Sequence, residues 1–196
     1  MTVWQQLFTR RMLICVFTGF SSGLPLYLLF NLLPAWLRSE QVDLKTIGLF
    51  ALIQFPYTWK FLWSPLLDRY VVPLLGRRRG WMLLTQVCLL VVIVSYGFVS
   101  TAGLLPPTVT WAPFFFGLLK FPIVEWQSVF VFFTHPITII SFLLAFFSST
   151  QDIVLDAYRR ELLSDAELGL GNAVYVNAYR IAGLVPGSLS LILADT

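Results

Sequence analysis

The chain has 196 residues, of which 58% are hydrophobic and 12% charged, and its formal net charge is +3. Soluble domains carry about 25% charged residues, and a mean hydropathy of +0.79 is more apolar surface than a soluble core of this length absorbs. The surrounding solvent is therefore lipid, and a nucleic-acid-binding role is excluded because the arginine clusters have no soluble domain around them.

The start, Thr9-Arg10-Arg11-Met12-Leu13, has the basic-then-apolar order of an export signal. The apolar run continues to about Leu37 and no small-residue cleavage site closes it, so it reads as a retained first span. Crossing ~30 Å of hydrocarbon takes about 20 helical residues. Five segments reach that length: 11–37, broken by Pro25 and Pro34; 47–67, with Pro56 and Pro65; 81–99; 136–158; and 172–194. The fold class is all-α integral membrane. Cys15 and Cys88 sit inside apolar runs and read as small hydrophobes. The single His135, beside Pro136, reads as a headgroup-level residue, and no metal or cofactor is expected.

Segment 101–135 differs from the others. It is apolar (Trp111, Phe114 to Phe116, Phe130 to Phe133) but interrupted by Pro106, Pro107, Pro113, Lys120, Pro122 and Glu125. It reads as an extended periplasmic loop with one or two interfacial segments, its aromatic residues at headgroup depth. A sixth span there is the alternative. Cytoplasmic loops carry the excess of Lys and Arg. With five spans and a cytoplasmic N-terminus, Arg10, Arg11, Arg69, Arg77, Arg78, Arg79, Arg159 and Arg160 fall inside, against Arg38, Lys45 and Lys120 outside. Thr196 is then on the outer side.

The fourth span ends on Gln151-Asp152-Ile153-Val154-Leu155-Asp156. An acid at the centre of a spanning helix costs about 2.5–3.5 kcal/mol on insertion scales, so such residues face a protein-lined interior and are functional candidates. Asp152 and Asp156 are spaced i, i+4 and share a face with Ser141, Ser148 and Arg159. Lys60 and Arg180 add cations within the second and fifth spans. Arg180 shares a face with Gly183 and Gly187, and a guanidinium beside a cavity suits an anionic cargo. Asp156 is expected to pair with Arg69 or Arg77, Asp152 with Arg180 or Lys60; structural ion pairs alone are the other reading. Asn31, Gln54 and Gln151 offer hydrogen bonds to sugars or amides, or equally between helices. The Gly19-x-x-x-Gly23 pair reads as a close-packing face.

The loop after the second span reads Ser64-Pro65-Leu66-Leu67-Asp68-Arg69-Tyr70 and, five residues on, Gly76-Arg77-Arg78-Arg79-Gly80. It resembles the signature loop of the major facilitator superfamily, with Ser64 where that pattern begins with Gly. The resemblance implies that Asp68, Arg69, Gly76, Arg77 and Arg78 form a conformational lock. Several strings together are similar to the AmpG-type muropeptide permeases, a branch of that superfamily related to acetyl-CoA transporters. They are Gly19-Phe20-Ser21-Ser22-Gly23-Leu24-Pro25, Val42-Asp43-Leu44-Lys45-Thr46-Ile47-Gly48, Lys60-Phe61-Leu62-Trp63 running into the loop just quoted, Gly76 to Trp81, and Gln151 to Ala157. Ala178 before Tyr179-Arg180 departs from the Gly expected there.

The resemblance implies proton-coupled import of an anionic anhydro-sugar glycopeptide across the bacterial inner membrane, by a non-enzyme whose partners are the bilayer, protons and that cargo. By their position within the spans, Asp152, Asp156, Arg180, Lys60 and Gln151 are the candidates for the substrate and proton pathway. A major facilitator protein has two six-helix halves, so these residues represent an incomplete N-terminal bundle, with a sixth helix and the C-terminal half lacking. Should the product end at Thr196, it is expected to be a non-transporting remnant. A carrier of another anionic solute is the alternative cargo reading, and a membrane enzyme is the remaining class.

Overall fold

A computed structural model describes residues 8–72, 76–114 and 119–194. Three helices are long and apolar enough to cross a membrane: Arg10–Ser39, Arg77–Phe98 and Pro136–Leu162. The first opens on Thr9, whose hydroxyl accepts from the Met12 N–H at 3.4 Å. It comprises α1 (Arg10–Tyr27), a π-helical turn (Leu28–Leu32) and α2 (Leu33–Ser39). Pro25 lacks the N–H needed for the i−4 bond, so α1 loses one rung of its ladder there. Pro34 then sits in the first turn of α2, directly after the π-helical turn.

The second expected span is broken into pieces. α3 (Leu44–Leu49), a 3-10 turn (Phe50–Gln54), α4 (Phe55–Trp59), another 3-10 turn (Lys60–Leu62) and α5 (Ser64–Arg69) follow one another. Pro56 and Pro65 each open one of the new helices. α6 (Arg77–Ser95) is the straight third span, prolonged by a turn to Phe98. α8 (Pro136–Leu162) is the longest single helix, and α9 (Asp165–Ala182) with α10 (Leu184–Ala194) meets at Gly183. α10 has 11 residues, and the 18 of α9 include Asp165, Glu167 and Arg180, so neither piece is both long and apolar enough to cross alone.

Segment 101–135 holds the β-strands of the described residues. β1 (Val109–Phe114) pairs antiparallel with β2 (Leu119–Val124), with Val109 opposite Val124 and Pro113 opposite Lys120. Both strands are edges, so Pro113 and Pro122 need not donate to a neighbour. At its base, the Thr108 N–H donates to Ser128 Oγ at 2.8 Å and the Thr108 hydroxyl to the Glu125 carboxylate. The nine-residue α7 (Trp126–Thr134) follows, too short to span, with Trp126 and Phe130 exposed. His135 closes the segment: its Nδ1 accepts from the Ile137 N–H at 3.3 Å, capping α8, which leaves Nε2 to donate to the Ala102 carbonyl at 3.2 Å. Phe115, Phe116 and Thr196 lie outside the described residues, as do the side chains of 111–123.

α1 lies along α9 and against α8, while α6 lies along α8. The main apolar core gathers Leu37, Phe50, Ile53, Leu89, Phe132 and Leu144, with the Phe50 and Phe132 rings edge to face at 5.7 Å. By contrast, the outer side of α6 leaves Leu83, Val87, Leu90, Val91 and Val94 uncovered, as a lipid-facing helix does. Helix association in lipid rests on close van der Waals packing between small residues, and here α1 supplies it. A Cβ at Gly19 would collide with the Tyr175 carbonyl oxygen, and one at Gly23 would lie 2.5 Å from that of Tyr179. Replacing Gly19 with Ala is expected to cost about 1–3 kcal/mol, the range for overpacking a fitted contact. Gly48 has open space around it, so Gly48→Ala is the neutral control. Thermal unfolding in detergent micelles reads the difference.

Candidate functional site

The contact of α1 with α9 places a cleft of about 350 Å³ beside α8, lined by Tyr27, Asp152, Asp156, Tyr175, Tyr179 and Arg180. Its wall is aromatic: the Tyr27 and Tyr179 ring centroids are 5.7 Å apart, and those of Tyr175 and Tyr179 are 6.4 Å apart. Asp152 is half-buried and accepts a hydrogen bond from the Ser22 hydroxyl on α1. Ser22 Oγ also meets the Tyr175 hydroxyl, so it joins α1, α8 and α9 at one point. Lys60, on the broken second segment, attracts Asp152 at longer range, but the expected ion pair between them does not form among the described residues. Arg180 lines the same cleft, but its ion pair with Asp152 does not form among the described residues.

Asp156 pairs locally. Its carboxylate accepts from Arg159 at 2.9 Å, one turn along α8, and not from Arg69 or Arg77. Arg159 lies over the Tyr175 ring, 4.0 Å from its centroid, a cation–π contact that ties α8 to α9. Gln151 points away from the cleft. Nearly sealed at 2% exposure, it donates to Ser21 Oγ at 3.1 Å and to Gln86 Oε1 at 2.8 Å. Ser21 donates to the same Gln86 oxygen at 3.1 Å, closing a polar triangle between α1, α6 and α8. Two residues adjacent in sequence thus serve different helix contacts, as a 100° step per residue requires.

In the loop, Gly76 caps the N-terminus of α6 at φ +83°, a left-handed conformation that favours glycine. Arg78 occupies the centre: its Nη1 donates to Asp68 at 2.7 Å and its Nε to Glu161 at 2.8 Å. It is 15% exposed, and it joins the end of α5, the start of α6 and the end of α8. Arg69 and Arg77 form no ion pair among the described residues. A second tie, Arg11 to Glu167 at 2.8 Å, joins the start of α1 to that of α9. Glu167 also completes a capping box with Ser164. The Ser164 hydroxyl and backbone N–H, then Arg11, hold its carboxyl below the usual glutamate value of 4.5.

Sequence reasoning missed Ser22, Gln86, Arg159 as a partner, the three tyrosines and Glu161. One signal was present for Glu161. An acid in the last turn of a helix opposes the helix dipole, so it calls for a cation from elsewhere, and Arg78 is that cation.

Long apolar helices around a cleft carrying both acids and a guanidinium define a multi-pass membrane protein of transporter type. The chain belongs to the family described as acetyl-coenzyme A transporter 1, which matches residues 11–184. It is 41% identical over 185 residues to the anhydromuropeptide permease of Escherichia coli K12, across 94% of this chain and 32% of the permease. A Haemophilus influenzae protein described only as uncharacterized is 50% identical over 189 residues, across 96% of this chain and 38% of that protein. The putative transporter AmpG 4 of Rickettsia conorii is 29% identical over 180 residues, 90% of this chain and 36% of the relative. The chain spans about a third of the length of these relatives, whose names are those of AmpG-type carriers where they state an activity.

Two predictions follow from the ion pairs. Arg78→Ala is expected to speed amide hydrogen exchange at the ends of α5 and α8. Arg78→Lys is expected to restore it only in part, because an ammonium lacks the planar fork that serves two carboxylates. Arg77→Ala should leave exchange there unchanged. For Glu167, a depressed folded-state pKa means the tie contributes fully above the unfolded value and is lost as pH falls through the folded one. The difference in melting temperature between the native chain and Glu167→Gln should therefore be present at neutral pH and close below about pH 4.5. Scanning calorimetry across neutral to acid pH measures it.

Proposed function

We propose that these residues form the N-terminal bundle of a proton-coupled permease that imports anhydromuropeptides across the bacterial inner membrane. The bundle has five spans, at about 11–37, 47–67, 81–99, 136–158 and 172–194, with the N-terminus in the cytoplasm and 101–135 as a periplasmic, partly interfacial segment. The second, six-helix half of the permease completes the cargo cavity. Asp152 carries the coupling proton, Arg180 receives a cargo carboxylate, and Lys60, Asp156 and Gln151 support them. Asp68, Arg69, Gly76, Arg77 and Arg78 form the conformational lock, with Arg78 as its ion-pairing member.

The observation that carries this reading is the setting of Asp152. A carboxyl inside a 27-residue apolar helix, engaged by a neutral hydroxyl from Ser22, opens on a cleft that also holds Arg180. An acid with a neutral partner can release and regain a proton without breaking an ion pair. A guanidinium at the same cleft lets cargo and proton influence one another. The name of the E. coli relative supplies the cargo. The family description favours a second cargo, an acyl-CoA-like anion, since Arg180 pairs with phosphate as readily as with carboxylate.

The test is uptake of labelled anhydromuropeptide into inner-membrane vesicles carrying this bundle with its C-terminal half. Accumulation is expected to need a proton gradient and to fall at least about a hundredfold in Asp152→Asn, the usual scale for removing a group that transfers protons. Accumulation that survives collapse of the gradient would reject the coupling, and inhibition by acetyl-CoA in place of muropeptide would favour the second cargo.

A further inference from the structure

Asp152 has a second polar neighbourhood besides Ser22. Ser148 lies one turn before it on the same face of α8 and is 1% exposed. Tyr57, on α4, reaches across so that its hydroxyl lies beside that of Ser148 and within electrostatic reach of Asp152. Both hydroxyl oxygens are shut off from solvent, and neither completes a well-aligned hydrogen bond among the described residues. A buried hydroxyl left unpaired costs about 1–3 kcal/mol, and here two such groups sit together beside a carboxyl in an otherwise apolar core. Their unspent donor and acceptor capacity is what a bridging water needs: at least two polar partners in a polar pocket.

We propose that Tyr57 and Ser148 are positioning residues that conduct the proton to and from Asp152. The inference rests on the reading of Asp152 as the proton-carrying acid. On release, the Asp152 carboxyl O–H passes its proton through one bridging water to the Ser148 oxygen. Ser148 passes its own hydroxyl proton to the Tyr57 oxygen, and Tyr57 passes its own to a water molecule, which carries it away as hydronium. Each hydroxyl ends with one proton, as it began, and no electrons change hands. The chain of hydroxyls leads into the segment where Pro56 and two 3-10 turns interrupt the helix. The carbonyls there are not all committed to i−4 bonds and can hold water.

Other groups face Asp152 as well. Lys60 attracts it from the same segment as Tyr57, Asp156 repels it from one turn along α8, and Tyr175 and Tyr179 face it from α9. These set the equilibrium between protonated and ionised Asp152. Tyr57 and Ser148 set the rate. That distinction separates a conducting pair from a merely structural one.

The experiment places the full chain in lipid nanodiscs and follows the carboxylic C=O stretching band by time-resolved infrared spectroscopy after a pH jump. A band lost in Asp152→Asn reports this carboxyl directly, with no need for transport. Tyr57→Phe and Ser148→Ala are each expected to slow its appearance at least about tenfold, leave its titration midpoint in place, and retain the native helical circular dichroism. Ser148→Thr, which keeps the hydroxyl, is expected to restore the native rate and serves where the alanine variant packs poorly. Unchanged rates in both variants, with the Asp152 band present, would overturn the relay alone. A shifted midpoint at an unchanged rate would overturn it too, by making the pair structural. The lack of any band that depends on Asp152 would overturn the reading of Asp152 on which the relay stands.

Discussion

Much of this structure depends on how closely two helix backbones approach. In hydrocarbon there is no hydrophobic gain from burying one apolar face against another, so helices associate through contact area and complementary shape. Gly19 and Gly23, one turn apart on α1, remove the side chains that would hold α9 away, and the carbonyls of Tyr175 and Tyr179 occupy the space. That contact fixes the register of the two helices. It also carries Ser22, between the two glycines, onto Asp152 of α8, and it brings Tyr175 and Tyr179 around to form the cleft wall. A register slipped by one turn would leave Asp152 without the Ser22 hydroxyl and Arg159 without the Tyr175 ring. The polar site is in this sense a product of the apolar contact.

The ion pairs follow a different logic. Asp156 had distant cations available in principle, yet it pairs with Arg159 three residues away. A pair held on one helix orders little more than two side chains, whereas a pair across the bundle depends on a tertiary geometry being right as well. Arg78 shows the opposite case. It accepts the burden of a long-range geometry because it satisfies two carboxylates from different helices at once, and its planar fork presents donors in two directions. Of the basic residues in the loop, only one can occupy the point where the ends of α5 and α8 converge. Its neighbours Arg77 and Arg79 are left exposed, where basic residues beside a spanning helix can meet the membrane surface.

The sequence therefore speaks unevenly about the site. The shared face of Ser148, Asp152 and Asp156 was legible because helical period is a local property, and the packing role of Gly19 and Gly23 was legible because small residues one turn apart have few other uses in lipid. The partners of those residues were not legible. Ser22 lies 130 positions from Asp152, and no local pattern encodes which turn of α1 meets which turn of α8. The three longest helices were evident from uninterrupted hydropathy. Segments 47–67 and 172–194 met the same length test by composition, but hydropathy is blind to the backbone. Pro56, Pro65 and the break at Gly183 divide them into shorter pieces. In segment 101–135 the prolines argued against an uninterrupted spanning helix, and the described residues there form a hairpin, in which Pro113 and Pro122 lie, and a nine-residue helix. That they sit in an edge-on-edge hairpin depended on the pairing of two short strands, a non-local fact.

Broken helices in a membrane have a chemical consequence that a continuous helix lacks. A spanning helix spends all its interior backbone groups on itself, so it presents only side chains to its neighbours. Where the chain passes through 3-10 turns and proline-opened helices, as it does from Phe50 to Arg69, some carbonyls are freed and must find partners in the protein interior or in water. Lys60 and Tyr57 both emerge from that stretch, and both face Asp152. The broken segment thus sits beside the one half-buried acid whose described partner is a neutral hydroxyl. Non-helical backbone at membrane depth is tolerated where it lines a polar interior and not where it meets lipid, so the irregularity of this segment and the polarity of its neighbour are two expressions of the same constraint.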